Sequence, residues 1–208
     1  MIGKLAFVSA QPPPASPLDE DPARLIEAMY LRIWATSMRD LPFVNLALSV
    51  EAIGFRRWRG ANRSSLPAGN PSATPAEPAG DSGNAAGDWV GAVVTPWFLN
   101  LFLLPGGGNL WSDRRPGERF HLSFPIGPLE FIADYSPDAE LPAYQYCPLF
   151  APPSEFASQA AARAAATAAL DAMFKENRIT EPAARPATSA TAPADSARRA
   201  FLRRFARP

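Results

Sequence analysis

The chain has 208 residues, 47% of them hydrophobic, and its 20 basic and 20 acidic side chains cancel. That composition describes one domain with a real core and excludes a nucleic-acid binder driven by global charge. One cysteine, Cys147, and one histidine, His121, exclude an internal disulfide and a clustered structural zinc site.

At the start of the chain, Lys4 is the only early base, and the apolar Leu5–Val8 gives way to Pro12-Pro13-Pro14. Residues 1–20 therefore read as a disordered arm without a secretory signal, and the protein is expected to be cytoplasmic. Asp21-Pro22 then opens a helix, a capping acceptor followed by proline at the first helical position. Leu25, Ile26, Met29 and Ile33 form its apolar stripe, with Tyr30 and Trp34 alongside, and Asp40-Leu41-Pro42 stops it. From Asn45 to Phe55, Leu46, Leu48 and Val50 alternate with Ala47, Ser49 and Glu51, which is strand periodicity.

Residues 60–88 contain almost nothing apolar larger than alanine and are rich in Gly, Pro, Ser and Asn. Such a segment cannot bury enough surface to offset its ordering entropy, so it reads as a disordered insertion within a single domain spanning 21–175. Two strands follow, Trp89–Thr95 and Trp97–Leu104, separated by Pro96. In the second, alternation sends Trp97, Leu99, Leu101 and Leu103 to one face and Phe98, Asn100, Phe102 and Leu104 to the other. Both faces are apolar, which suits the centre of a covered sheet or a strand with one face turned to a partner protein. Gly106-Gly107-Gly108 lacks the lysine and hydroxyl of a phosphate loop and reads as a flexible turn.

A hairpin is expected over Phe120–Tyr135 with its turn at Pro125–Pro128, then a short strand at Tyr144–Cys147. From about Ser154 the chain becomes an alanine-rich helix with Phe156, Ala160, Ala164, Thr167, Leu170 and Phe174 on one side. The fold class is α+β: an antiparallel sheet with an N-terminal and a C-terminal helix packed on one face. Residues 176–208 read as a disordered tail with a basic end.

Little in this chain could carry catalysis. His121 points away from the face of Phe120 and Leu122, Glu130 and Asp134 lie on the polar face of a strand, and Cys147 beside Pro148 is either a small buried hydrophobe, a nucleophile or a lone metal ligand. Asn100 among Phe98 and Phe102 needs hydrogen-bond partners if buried, as a clip to a loop or as part of a recognition surface.

Trp89–Leu101 (WVGAVVTPWFLNL) with Leu103-Leu104-Pro105 resembles the core signature of the [NiFe]-hydrogenase assembly chaperones of the HybE/HupJ type. Asn45–Trp58, Gly117–Asp134 with its FPIGPLEFI core, Tyr144–Phe150 and the Glu155–Phe174 helix resemble the family in the same order. The resemblance spans about 20–174 and omits the 60–88 insertion and the tail. It implies a non-enzymatic, cytoplasmic accessory protein without cofactor or metal. Its partner would be a hydrogenase large or small subunit precursor, held before export or membrane attachment, with no nucleic acid and no membrane insertion of its own. The family motif positions fall on Thr95, Pro96, Trp97, Asn100, Pro105, Cys147 and Phe156, whose individual roles are not implied. Ser158 and Gln159 stand where the family pattern has an acidic residue after Glu155-Phe156.

Ala197–Arg203 resembles a twin-arginine export motif except in its position, which makes Arg198, Arg199, Phe201 and Leu202 candidate contacts by which the tail mimics an export signal. Two other readings of the chain are an iron- or nickel-handling maturation factor using Cys147 with His121, and a small hydrolase with Cys147 as nucleophile.

Overall fold

The computed structural model describes residues 12–60 and 87–175. The expected 60–88 insertion, apart from its end positions, and the expected 176–208 tail lie outside the described residues.

Helix α1 (Ala23–Ile33) begins where expected: the Asp21 Oδ1 accepts the Ala23 N–H at 2.9 Å, and a π-helical turn, Trp34–Met38, continues it toward Pro42. Six strands follow, β1 (Glu51–Trp58), β2 (Asp88–Val94), β3 (Leu99–Leu104), β4 (Arg119–Phe124), β5 (Gly127–Tyr135) and β6 (Ala143–Phe150), and then α2 (Gln159–Phe174). The strands form one sheet in the order β1-β2-β3-β6-β5-β4, and every adjacent pair is antiparallel. The α+β class and the β4–β5 hairpin are as the sequence indicates.

The placement of the helices is not. Val90, Ala92, Val94, Leu99, Leu101 and Leu103 share one core with Ala162, Ala166, Ala169, Leu170 and Met173 of α2. Trp89, Val93, Phe102 and Leu104 share a second core with Ile26, Met29 and Tyr30 of α1. The helices therefore cover opposite faces rather than one. Every residue of β2 and β3 is buried, and a strand pair apolar on both sides loses the benefit of burial unless both faces are covered.

Three boundaries also move. Residues 45–48 form a turn instead of the start of a strand: the Asn45 Oδ1 accepts the Ala47 N–H at 3.0 Å and its carbonyl accepts the Leu48 N–H at 3.1 Å. An Asn side chain that closes its own turn overrides two-residue apolar alternation. Helix α2 starts at Gln159, capped by the Ser158 Oγ, and Ala160, Ala164 and Thr167 face solvent. Alanine on every side leaves no phase in the pattern. Finally, β6 runs through Pro148 to Phe150; that proline sits opposite Asn100, where the pairing register shifts, a position at which a strand tolerates it.

The second half of the expected disordered arm is tied to the fold. The Leu18 N–H donates to the Pro105 carbonyl at 2.9 Å, and the Leu18 carbonyl accepts from the Trp89 indole at 2.8 Å and the Arg57 guanidinium at 3.0 Å.

Candidate functional site

The family positions divide between the two ends of the β2–β3 pair. At one end, Thr95–Phe98 is a tight turn. The Thr95 N–H donates to the Phe98 carbonyl at 2.8 Å, and the Thr95 Oγ1, wholly buried, accepts the N–H groups of Trp97 at 3.2 Å and Phe98 at 3.0 Å. Pro96 suits this turn, having no N–H to satisfy. Because the turn intervenes, Trp97 does not continue the alternation of β3. It joins the α1-side cluster with Phe98, opposite the face of Leu99, Leu101 and Leu103.

Trp97 is half-buried and lies nearly parallel to Trp34, at 6.0 Å and 9°, with the edges of Tyr30 and Phe98 against it. Tyr30 in turn meets Phe98 and Phe102 edge-on at 5.1 and 5.9 Å. Aromatic pairs in these geometries are favourable beyond their buried area, so the turn is held by rings as well as by hydrogen bonds.

Asn45 joins three segments here. Its N–H donates to the Pro96 carbonyl at 2.7 Å, and its Nδ2 donates to the carbonyls of Pro153 at 3.0 Å and Phe156 at 2.8 Å. Phe156, buried against Phe150 with ring centroids 4.9 Å apart, is thereby linked to Pro96. The same anchored loop displays Phe43 and Leu46, which are 51% and 77% exposed; with Leu31 at 51%, these are the exposed large hydrophobics among the described residues. Asn100 lies beneath the aromatic cluster, 5% exposed, and its Oδ1 meets no donor among the described residues.

At the other end of the pair, Asp88 is fully buried. Its Oδ1 accepts the N–H groups of Gly106 and Gly108, both at 3.0 Å, and its Oδ2 those of Leu110 at 2.8 Å and Trp111 at 2.9 Å. Four donors on one carboxylate compensate the burial of its charge. Arg57 closes over the same loop, donating to the Gly106 carbonyl at 2.7 Å with its guanidinium 4.7 Å from the centroid of the Trp89 ring. A Cβ on Gly106 would come within 2.2 Å of the Gly87 carbonyl oxygen, and one on Gly108 within 2.4 Å of the Asp88 nitrogen. These glycines permit close backbone approach; the flexible turn expected from the sequence is instead a pinned loop. Pro105 belongs to this end, a β3 length of about 20 Å from the Thr95 turn.

Cys147 is 6% exposed on the α2 side of the sheet, in the same core as Phe120 and Leu129. His121 pairs with Glu130 on the opposite face and is exposed. The sheet separates them, so they form neither a shared metal site nor a nucleophile–base pair. Tyr30 and Tyr144 are not acid–base candidates either: burial pushes both phenols far above their ordinary range, and the Tyr144 hydroxyl donates to the Asp134 Oδ2 at 2.8 Å. Among the described residues no group of three or more His, Cys, Asp or Glu could hold a metal ion, and no helix is long and apolar enough to cross a membrane.

Thr95, Pro96, Trp97, Asn100 and Phe156 thus gather around one end, while Pro105 and Cys147 stand apart. Sequence reasoning missed Asn45, Phe43, Leu46 and Asp88. An Asn following Leu-Pro-Phe-Val was a legible turn signal; nothing local to Asp88 announced partners 18 to 23 residues away.

The sequence model of the family described as "[NiFe]-hydrogenase assembly, chaperone, HybE" matches residues 21–204. Protein HoxT of Cupriavidus necator is 38% identical over 161 residues, covering 72% of this chain and 74% of that protein. Hydrogenase expression/formation protein HupJ of Bradyrhizobium diazoefficiens is 34% identical over 179 residues, covering 86% and 85%. A protein of Rhodobacter capsulatus named probable rubredoxin HupJ is 35% identical over 167 residues; the match covers 79% of this chain but spans only half the length of that relative. The solution structure of HybE from Escherichia coli superposes with a TM-score of 0.51 at 19% identity, covering 87% of this chain and 96% of that one, a likeness of fold.

Proposed function

This chain belongs to the HybE family of [NiFe]-hydrogenase assembly chaperones, and on that premise we propose that it is a non-enzymatic chaperone that binds a hydrogenase structural subunit precursor, large or small, in the cytoplasm. The client surface is the aromatic end of the β2–β3 pair: Trp97 on Trp34, the Thr95-Pro96 turn, Asn100 beneath, and Phe43 and Leu46 beside it. The same reading extends to twin-arginine export, with the precursor retained until it is ready to leave.

The observation that carries this reading is the exposed apolar set held on a fixed frame. Phe43 and Leu46 flank Asn45, whose N–H and side chain are fastened to Pro96, Pro153 and Phe156. A preorganised apolar surface binds without a large ordering cost, which suits a protein that recognises a client rather than transforming one. The readings that use Cys147 have no such support, since the chain's one imidazole lies across the sheet from the thiol.

The test is affinity capture with tagged protein in a host that makes a [NiFe]-hydrogenase, read by identifying the subunit precursors retained. Wild type should retain a large or small subunit precursor, and the Phe43→Ser/Leu46→Ser variant should retain far less. Equal recovery by both would remove the surface from the proposal, and no precursor in either would remove the function.

A further inference from the structure

We propose that the basic C-terminal segment of this same chain, Arg198–Arg207, docks intramolecularly on the apolar surface made by Leu31, Phe43 and Leu46 beside Trp34 and Trp97. The proposal deepens the client-site reading and rests on it in one respect: docking there would compete with a client.

The surface needs a cover of particular chemistry. Leu31, Phe43 and Leu46 are the large hydrophobics left exposed among the described residues, and all fall within one short stretch of chain. Asp40 and Glu155 flank it. Asp40 precedes the Phe43 loop, and Glu155 sits between Pro153 and Phe156, whose carbonyls Asn45 holds. Both acids are exposed and neither is ion-paired among the described residues; Arg39 is the nearby cation in the same position, while Arg32 is engaged by Glu140. An occupant should therefore be apolar with basic flanks.

The chain carries such a segment. RRAFLRRFAR holds five arginines and no acid, with Phe201, Leu202 and Phe205 at the i, i+1, i+4 spacing that groups them on one side of a helix. The charge balance is complementary on the larger scale too. Residues 12–60 and 87–175 carry 15 acidic and 11 basic side chains, net −4, whereas residues 176–208 carry 3 acidic and 7 basic, net +4. The neutral total thus conceals a division that attracts the two parts.

Length fits as well. Helix α2 begins beside the Asn45 turn, where the Gln159 side chain accepts the Ser49 N–H, and ends where Phe174 meets Trp58 at 4.3 Å. Lys175 is therefore about one helix length, roughly 24 Å, from the Asn45 turn, and the rings of Trp34 and Trp97 lie beyond it on the α1 face of the sheet. The 22 residues 176–197 could reach at most about 73 Å if fully extended, more than that separation.

The experiment compares the full chain with a chain ending at Ala197, titrating each with a fluorescein-labelled peptide of residues 196–208 and reading anisotropy. The truncated chain should bind the peptide at least about tenfold more tightly than the full chain, because the tethered copy competes in the latter, and added salt should weaken binding. Phe43→Ser/Leu46→Ser in the truncated chain should lower that affinity more than tenfold while the urea midpoint stays put, both side chains being exposed. No binding to the truncated chain, equal binding to both chains, or binding indifferent to the double substitution would each overturn the proposal. No client is present in this titration, so its failure leaves precursor capture untouched, and failed precursor capture leaves the docking result standing.

Discussion

At one end of the β2–β3 pair a buried carboxylate holds four backbone N–H groups and a guanidinium closes over the loop; at the other, a four-residue turn sets the partly buried Trp97 on Trp34, next to a loop that exposes Phe43 and Leu46. Both ends grow from the same two fully buried strands, yet the Asp88 carboxylate has all its partners within the chain, whereas the Thr95 end presents aromatic rings beside exposed apolar side chains. Asp88 has its full complement of partners within the chain and needs nothing further, while the Trp97 end keeps its rings fixed and its apolar neighbours in solvent.

The largest effect is expected at Asp88. Replacing Asp88 by Asn should destabilise the fold by about 3 kcal/mol or more, since one acceptor oxygen becomes a donor facing buried N–H groups; urea denaturation measures it. Gly106→Ala should cost about 2 kcal/mol in the same assay, because its Cβ would meet the backbone of Gly87. Trp97→Ala sharpens the contrast: about 1–2 kcal/mol of stability for a half-buried ring, but at least a tenfold loss of client affinity.

A smaller effect is expected between the ends. Trp58 and Asp88 are direct partners across β1 and β2, so a short linker can join the strands in place of residues 62–85. Loop-closure entropy changes slowly with length, and the substitution should move stability by less than about 1 kcal/mol. The smallest effect is at Glu51. Burial alone would raise its carboxyl, but hydrogen bonds from Arg163 and Gln159 outweigh that and hold it below the ordinary value. Its contribution is therefore present above the unfolded carboxylate range near pH 4.5 and is lost as pH falls through the lowered folded value. Stability of the wild type should fall slightly more steeply with acid than that of Glu51→Gln.

Strand identity in β4 and β5 was legible because apolar alternation there reports real burial, β2 stood out as an apolar run ended by Thr95-Pro96, and α1 was legible from its cap and stripe. The helix faces were not. Alternation showed that β3 is apolar on both sides, but which helix covers which side depends on connections between segments far apart in sequence. In α2 the alanines erase the phase that larger residues would have supplied. At the candidate site, Thr95, Pro96 and Trp97 stood out as residue types, whereas Asn45 and Asp88 act through partners distant along the chain, and a distant hydrogen bond leaves no local pattern.

The account rests on the Trp97 end being the surface that meets a hydrogenase precursor. The direct measurement is the affinity of purified large and small subunit precursors for wild type, Trp97→Ala and Gly106→Ala, each first shown to be folded at the assay temperature. Gly106→Ala, altered at the pinned end, should bind as wild type does, while Trp97→Ala should bind at least tenfold more weakly. Wild-type affinity in Trp97→Ala, or loss of binding confined to Gly106→Ala, would contradict it.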